Sequence, residues 1–396
     1  VTPAELEQLR RPAGRALVEA LTPYDPAAAL TDADRFRREH EPALVALALT
    51  QARLRTKAAE RFGDQGTRMW WTADALEQAT RPEVSARRSA LLRAAGAERV
   101  ADLGCGAGMD TLAMAQAGMH VLAVDRDPTL VELVAANADE LGLSDRVRVL
   151  RADLMTVDAV AEGCDTTFLD PARRADGRRH LDPERWSPPF SRAVELAQRT
   201  QRAVIKVAPG LDRALVPEGA RFEAVSYGGR LVEAAIWFGV DLGGAARNAV
   251  VLPSGATLDD LAPRPERMPV GRWGSWLVEP DDAVIRSGLV AQLAARFGGR
   301  LIDASIAYVT SDTEPPADPL YARFEIDEVL PFSLKALRAA LRERRVGRVE
   351  VKKRGFAMDP DEVRRGLKLD KAAPASRTVL LTRVGSDPVA VIAHRR

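Results

Sequence analysis

The stretch RVADLGCGAG, residues 99–108, constrains this chain more than any other. A short apolar run carries one acid, Asp102, and then breaks into Gly104, Gly106 and Gly108. An extended segment must turn abruptly here, and glycine permits the tight turn while leaving the backbone bare for a ligand. The alternation continues downstream. MDTLAMAQAG predicts a helix ending at Gly118, and HVLAVD predicts a second strand. Asp127 can cap the next helix, with Pro128 at its first position and Gly142 just past its end. RVRVLRAD and DTTFLDP predict strands three and four, AVIKVAP a fifth, and FEAVSYGGRLVEAAIWFGV a closing hairpin. Such alternation predicts an α/β fold with a parallel sheet finished by an antiparallel edge.

The flanks differ. Residues 1–80 predict an N-terminal helical region, in which EPALVALALTQARLRTKAAERFG places Leu44, Leu47, Leu54 and Ala58 on one face and Gly63 supplies a stop. The Pro-rich LAPRPERMPVG marks a boundary near residue 265. The expected domains are therefore 1–80, an α/β domain over 81–262, and a smaller α+β domain over 263–396. No apolar run approaches the ~18 to 20 residues of a membrane span, so no membrane partner is expected. Two cysteines, Cys105 and Cys164, supply neither a disulfide framework nor a zinc site, and the four scattered histidines predict no metal. With no signal-type apolar core at the start, the expected compartment is the cytoplasm. Oligomeric state is left open.

Each of the first four strands closes on an acid: Asp102, Asp125, Asp153 and Asp170. In open parallel sheets, ligands bind beyond the carboxyl ends of the strands. The dinucleotide fingerprint Gly-x-Gly-x-x-Gly would place its third glycine at Met109, whereas the glycine stands at 108. The alternative use of these acids is as helix caps in a nucleotide-free domain, which four in register with the loop argue against. The pattern Asp-x-Gly-x-Gly-x-Gly resembles the first motif of class I S-adenosylmethionine-dependent methyltransferases. That resemblance implies a Rossmann-like sheet and S-adenosyl-L-methionine as cofactor. It implies that Asp102 orients the loop near the methionine amino group and that the backbone at Gly104, Cys105, Gly106 and Gly108 packs on the cofactor. Asp125, with Arg126 beside it, would accept the ribose hydroxyls. Asp153 would accept the adenine amine, with the Leu154 amide facing the ring. For Cys105 itself, packing is the expected role.

FLDPARR, residues 168–174, then lies where the methyl group emerges. It resembles the Asp-Pro motif of enzymes that methylate exocyclic amines, in which the Asp oxygen and the next carbonyl accept the amine hydrogens. Asp170 and Pro171 match that pattern, but Arg173 stands where the family has an aromatic ring. Its guanidinium can stack on a base or grip phosphate, or it can be a surface charge beside Arg174. The Asp-Pro-Pro-Arg type of uridine-C5 methyltransferases needs a later cysteine nucleophile, and no cysteine follows Cys164. The core, with MWWTADALEQAT upstream, is also similar to RNA cap guanine-N2 methyltransferases. The segment Trp70–Thr80 would then roof the cofactor, unless Trp70 and Trp71 are simply core.

The net charge of +1 hides an asymmetry. Lys335 to Lys371 holds 13 Lys/Arg against 6 Asp/Glu, a local +7. This segment, with VKKRGF at 351–356, resembles the THUMP-like domain of a group of bacterial class I methyltransferases. A helix from Leu334 to Arg345, a strand and a helix capped by Asp359 are expected in it. RNA binding is implied by analogy, through Lys352, Lys353, Arg354, Arg364 and Arg365, with salt-dependent affinity. Phe356 either stacks on a base or packs in the core. The expected function is methylation of a base nitrogen in RNA. The alternatives are a small-molecule or protein methyltransferase and a non-catalytic S-adenosylmethionine- or RNA-binding protein.

Overall fold

A computed structural model of the chain describes residues 1–175 and 178–396. It divides into two compact units, Val1–Arg221 with Ala234–Asp241, and Phe222–Glu233 with Leu242–Arg396.

The first unit opens with helices α1 (Pro3–Arg10), α2 (Pro12–Ala20), α3 (Ala29–Phe36), α4 (Pro42–Arg68), α5 (Ala73–Gln78) and α6 (Pro82–Ala94). Thr2 starts α1 with a capping box, its side chain and that of Glu5 exchanging hydrogen bonds with the opposite backbone amides. Gly63, expected to end α4, is instead a kink at φ 55°, and the helix resumes to Arg68. Aromatic packing accounts for the resumption. Phe62 stacks on Trp71 with ring centroids 5.1 Å apart, and the Trp71 indole donates to the Gly66 carbonyl at 2.9 Å. Buried Arg55 then closes the helix end, donating to the carbonyls of Met69 and Arg68. Leu54 and Ala58 are buried as the periodicity requires, while Leu44 and Leu47 are half-buried. Trp70 and Trp71 are both fully buried core residues, so neither ring roofs a ligand. Their burial stabilises this layer by about 4–6 kcal/mol each before ordering entropy is subtracted.

The sheet follows as β1 (Arg99–Leu103), α7 (Met109–Gln116), β2 (His120–Asp125), α8 (Pro128–Glu140), β3 (Val147–Arg151), β4 (Thr166–Leu169), the two-residue strands β5 (Arg174–Ala175) and β6 (Arg178–Arg179), α9 (Phe190–Ala197) and β7 (Arg202–Val207). Asp127 caps α8 by accepting from the Thr129 amide, with Pro128 at the first helical position. β3, β2, β1, β4 and β7 run parallel in that spatial order. Their carboxyl ends therefore share one edge. A hairpin, β8 (Arg221–Tyr227) and β9 (Arg230–Phe238), turns at Gly228 and Gly229, both at positive φ. The Ala234–Phe238 end of β9 pairs antiparallel with β7.

In the second unit β10 (Arg247–Leu252) runs parallel to β8 and antiparallel to β11 (Ala256–Asp259). Then come β12 (Trp276–Pro280), α10 (Asp282–Arg286), α11 (Val290–Ala295), β13 (Arg300–Asp303), β14 (Ile306–Ser311), β15 (Tyr321–Pro331), α12 (Leu334–Glu343), β16 (Val346–Lys353), α13 (Pro360–Leu367), β17 (Ala375–Val384) and β18 (Asp387–Arg395). Seven of these strands form a sheet in the order β13-β14-β12-β15-β18-β17-β16, antiparallel except for the β16–β17 pair. Leu337 and Leu341 of α12 and Val363 and Leu367 of α13 bury against Val379, Leu381 and Ile392. Among the described residues no helix is long and apolar enough to cross a membrane.

Candidate active site

The site grows from the turn after β1. The Gly104 and Cys105 amides both donate to the Val124 carbonyl at 2.9 Å, which pins the turn against β2. Gly104, Gly106 and Gly108 all adopt positive φ, at 92°, 51° and 77°. At Gly108 a Cβ would lie 2.6 Å from Val134 Cγ2 on α8, so only glycine fits. At Gly106 a Cβ would meet nothing within 4 Å among the described residues, so the bare backbone there borders open space. Cys105 is buried against Ala123 and Val134, and burial pushes its thiol pKa well up.

The strand-end acids divide by environment. Asp102 is fully buried; its Oδ2 accepts from Thr111 Oγ1, and its Oδ1 is buried without a hydrogen-bond partner among the described residues. Desolvation pushes its pKa up to about 8; nearby Asp110 and Asp170 add to the shift, and Thr111 and Lys206 oppose it. Asp125 is half-buried, its Oδ2 accepting from the Gly106 amide and its Oδ1 from the Asp127 amide, both at 3.0 Å. Each oxygen so keeps a further acceptor site. Arg126 beside it is exposed. Asp153 is exposed and caps a short 3-10 turn, Leu154–Thr156, through the Met155 amide. Leu154 Cδ2 lies 3.6 Å from where a Gly104 Cβ would stand, so this side chain walls the turn.

Asp170 completes the edge. Its backbone carbonyl lies 3.7 Å from the same Gly104 Cβ position. Pro171 is buried, and Ala172 exchanges two backbone hydrogen bonds with Ser187. Arg173 is half-buried, its carbonyl accepting from the His180 amide at 3.0 Å. The side chain of Arg174 lies outside the described residues.

A charged network behind this edge was not anticipated from the sequence. Lys206 Nζ donates to Asp170 Oδ2 and to Thr80 Oγ1, the latter at 3.1 Å. Thr80 Oγ1 in turn donates to Asp110 Oδ2 at 2.7 Å, and buried Arg88 pairs with Asp110 Oδ1. A signal for it existed. Lys206 is one of seven lysines in an arginine-dominated chain, and it interrupts the apolar run Ala203–Val207 at the level of the acids.

In the second unit the five expected RNA-binding residues do not form one free patch. Lys352 is ion-paired with Glu279, and Arg354 lies 4.0 Å from Glu279 and 3.5 Å from Asp282. Lys353 is exposed, with its Nζ 3.3 Å from the Met358 carbonyl. Arg364 and Arg365 are exposed on α13, Arg364 pairing with Asp361 at 3.0 Å. Phe356 packs edge-on against Phe332 with centroids 4.7 Å apart.

A parallel sheet with a glycine turn after its first strand and acids closing the next strands is the fold of the class I S-adenosylmethionine-dependent methyltransferases. A family described as a methyltransferase domain matches residues 100–175, one described as THUMP domain-like matches residues 321–395, and a domain of unknown function matches residues 2–58. An uncharacterized S-adenosylmethionine-dependent methyltransferase of Mycobacterium tuberculosis is 33% identical over 357 residues, 88% of this chain and 94% of the relative. A crystal structure from Porphyromonas gingivalis W83, described as a candidate methyltransferase, superposes with a TM-score of 0.72 at 19% identity, covering 94% of this chain and 99% of the other. A 23S rRNA uracil-C5 methyltransferase of Acidithiobacillus ferrooxidans is 38% identical over 102 residues, 25% of this chain and 23% of the relative. The chain belongs to the family of S-adenosylmethionine-dependent methyltransferases that includes the mycobacterial protein, and its C-terminal domain is THUMP-like. It is an enzyme, and its cofactor is S-adenosyl-L-methionine.

The residues present fit that cofactor. The orphaned Asp102 oxygen, deep in the edge, suits an ammonium, and the open space over Gly106 leaves room for a ligand against bare backbone.

Proposed function

We propose that this methyltransferase acts on RNA, transferring the methyl group to a nitrogen of a base. The observation that carries the reading is the place of Asp170: its backbone carbonyl lies 3.7 Å from where a Gly104 Cβ would stand, so Asp170 and the Pro171 that follows it lie next to the glycine turn and can supply acceptors there. Bound S-adenosylmethionine supplies an electrophilic methyl on a sulfonium. The acceptor nitrogen would offer its lone pair to that methyl and give up its proton to solvent. Asp170 and the Pro171 carbonyl serve this displacement by holding the amine hydrogens, which aims the lone pair in line. Asp102 takes the methionine ammonium, and the backbone of Gly104, Cys105, Gly106 and Gly108 packs on the cofactor. Asp125 takes the ribose hydroxyls with Arg126 alongside, and Asp153 and Leu154 serve the adenine. Arg173 replaces the family's ring at the acceptor's edge.

Support for RNA comes from the THUMP-like match and from the local likeness to the 23S rRNA methyltransferase. The uracil-C5 chemistry of that relative needs a reactive thiolate. Both cysteines here are buried, with pKa values pushed up by desolvation, which favours a nitrogen acceptor. In this reading residues 81–262 carry the chemistry and 263–396 hold RNA, in the cytoplasm. Lys353, Arg364 and Arg365 meet phosphate, whereas Lys352 and Arg354 brace the domain through Glu279. That bracing thins the basic patch and keeps a protein acceptor as the second reading.

The test is transfer from tritiated S-adenosylmethionine to total RNA and to protein extract from source-organism cells lacking this gene, with parent-cell RNA as control. Label entering only the RNA of the deleted cells, located in an N-methylated nucleoside by mass spectrometry, is the expected result. Label entering protein alone refutes the RNA assignment.

A further inference from the structure

We propose that Lys206 is the positioning residue for Asp170, an assignment that rests on the reading of Asp170 as the acceptor-orienting group. Parallel pairing of β4 with β7 sets Leu169 opposite Ile205, so the next residues, Asp170 and Lys206, reach the sheet edge at the same level. The ammonium donates to Asp170 Oδ2 and to Thr80 Oγ1 and lies 3.9 Å from Asp110 Oδ2. Asp110 is itself fixed by Thr80 and by Arg88, whose guanidinium lies 4.9 Å from the Phe168 ring. The brace is therefore anchored at several points. Thr80 comes from the segment before α6, Arg88 from α6, Asp110 from the first turn of α7 and Phe168 from β4.

The consequence for chemistry is directional. A free aspartate rotates and offers either oxygen. With Oδ2 held by Lys206, Oδ1 is left to receive an amine hydrogen, at a fixed place relative to the Pro171 carbonyl. Stability alone is a poor reason for this arrangement. The Lys206 side chain is 12% exposed and that of Asp170 36%, and a partly exposed pair of this kind contributes little net folding energy. What the pair provides is order in a group that must be aimed, where a misplacement of about 1 Å costs on the order of a hundredfold in rate.

The test compares Lys206→Met, Lys206→Arg, Asp170→Asn and the Lys206→Met/Asp170→Asn double variant. Initial rates are read with tritiated S-adenosylmethionine at saturation and total RNA from source-organism cells lacking this gene. Cofactor affinity is read by titration calorimetry, and a crystal structure of Lys206→Met reports the Asp170 carboxylate. Lys206→Met should lose roughly a hundredfold in rate, keep cofactor affinity within about threefold of wild type, and show Asp170 turned from its native position. Lys206→Arg should recover a large part of the rate, and the double variant should be no slower than Asp170→Asn, since the lysine acts through the aspartate. Additive losses, a wild-type rate in Lys206→Met, or Asp170 unmoved in its crystal structure would each overturn the assignment. A wild-type rate in Asp170→Asn sinks the reading of Asp170 itself, and this inference with it. If the wild-type protein labels no RNA, the RNA reading fails instead, and the crystal structure alone decides for or against Lys206.

Discussion

Replacing Asp102 by Asn should stabilise the cofactor-free protein while weakening its hold on S-adenosylmethionine. Asp102 is fully buried, and burial is the main reason its pKa lies near 8 rather than near the ordinary ~3.9 of an aspartate. An acid whose folded pKa is raised costs stability as pH climbs above the unfolded value. The cost grows from about pH 4 to about pH 8 and is constant above that. At pH 7 the unfolded chain has released this proton while the folded chain mostly keeps it. The difference is about three pH units, or an upper bound of ~4 kcal/mol. An amide here can still accept from Thr111 Oγ1, so Asp102→Asn removes the ionisation cost and keeps the hydrogen bond with Thr111. Urea unfolding of the cofactor-free variant should therefore give a stability at pH 8 about 2–4 kcal/mol above wild type. The excess should shrink toward pH 5. Cofactor affinity should respond in the opposite sense. Pairing with an ammonium requires the carboxylate, so wild-type affinity should rise about tenfold per unit from pH 6 to 7.5, and the variant should lose that slope. A variant less stable than wild type at pH 8, or one retaining the pH dependence of binding, would refute the argument.

Asp125→Ala should weaken S-adenosylmethionine binding about a hundredfold or more by calorimetry, because two charge-assisted acceptors are lost and the Gly106 amide loses its anchor. Gly108→Ala should lower the urea midpoint by the equivalent of about 2–4 kcal/mol, since the methyl would meet Val134 Cγ2 at 2.6 Å on a left-handed backbone. Gly106→Ala, with open space around it, should cost only about 1 kcal/mol of stability yet reduce cofactor affinity by at least tenfold. Joint reversal of Lys353, Arg364 and Arg365 to Glu should weaken RNA binding in a filter assay and lower the slope of log affinity against log salt by at least about 2. Cofactor affinity in that variant should match wild type, and an unchanged salt slope would remove these residues from the RNA surface.

The parts of this protein readable from the sequence are those where local chemistry and global fold agree. Glycines at 104, 106 and 108 sit at positive φ because a strand must turn there into a helix, and that requirement leaves a mark in three residue identities. Asp127 and Asp359 cap α8 and α13 where a short acceptor followed by Pro announces a helix start. Gly63 misleads because a positive-φ glycine ends a helix only if nothing holds the next turn, and here Trp71 does, from five residues beyond Gly66. The basic C-terminal segment misleads similarly. Local charge counts Lys352 and Arg354 as free cations, yet their counter-charge, Glu279, stands 73 residues from Lys352 along the chain. The same rule governs Lys206. Its sequence neighbours describe a buried strand, and its partners come from Thr80, Asp110 and Asp170, which only the sheet register and the α6–α7 packing bring together. A lysine in an apolar strand would be an unfavourable burial if it stood alone. Its ties to Asp170 and Thr80 offset that cost, and the role proposed for Asp170 gives the pairing a use in the chemistry.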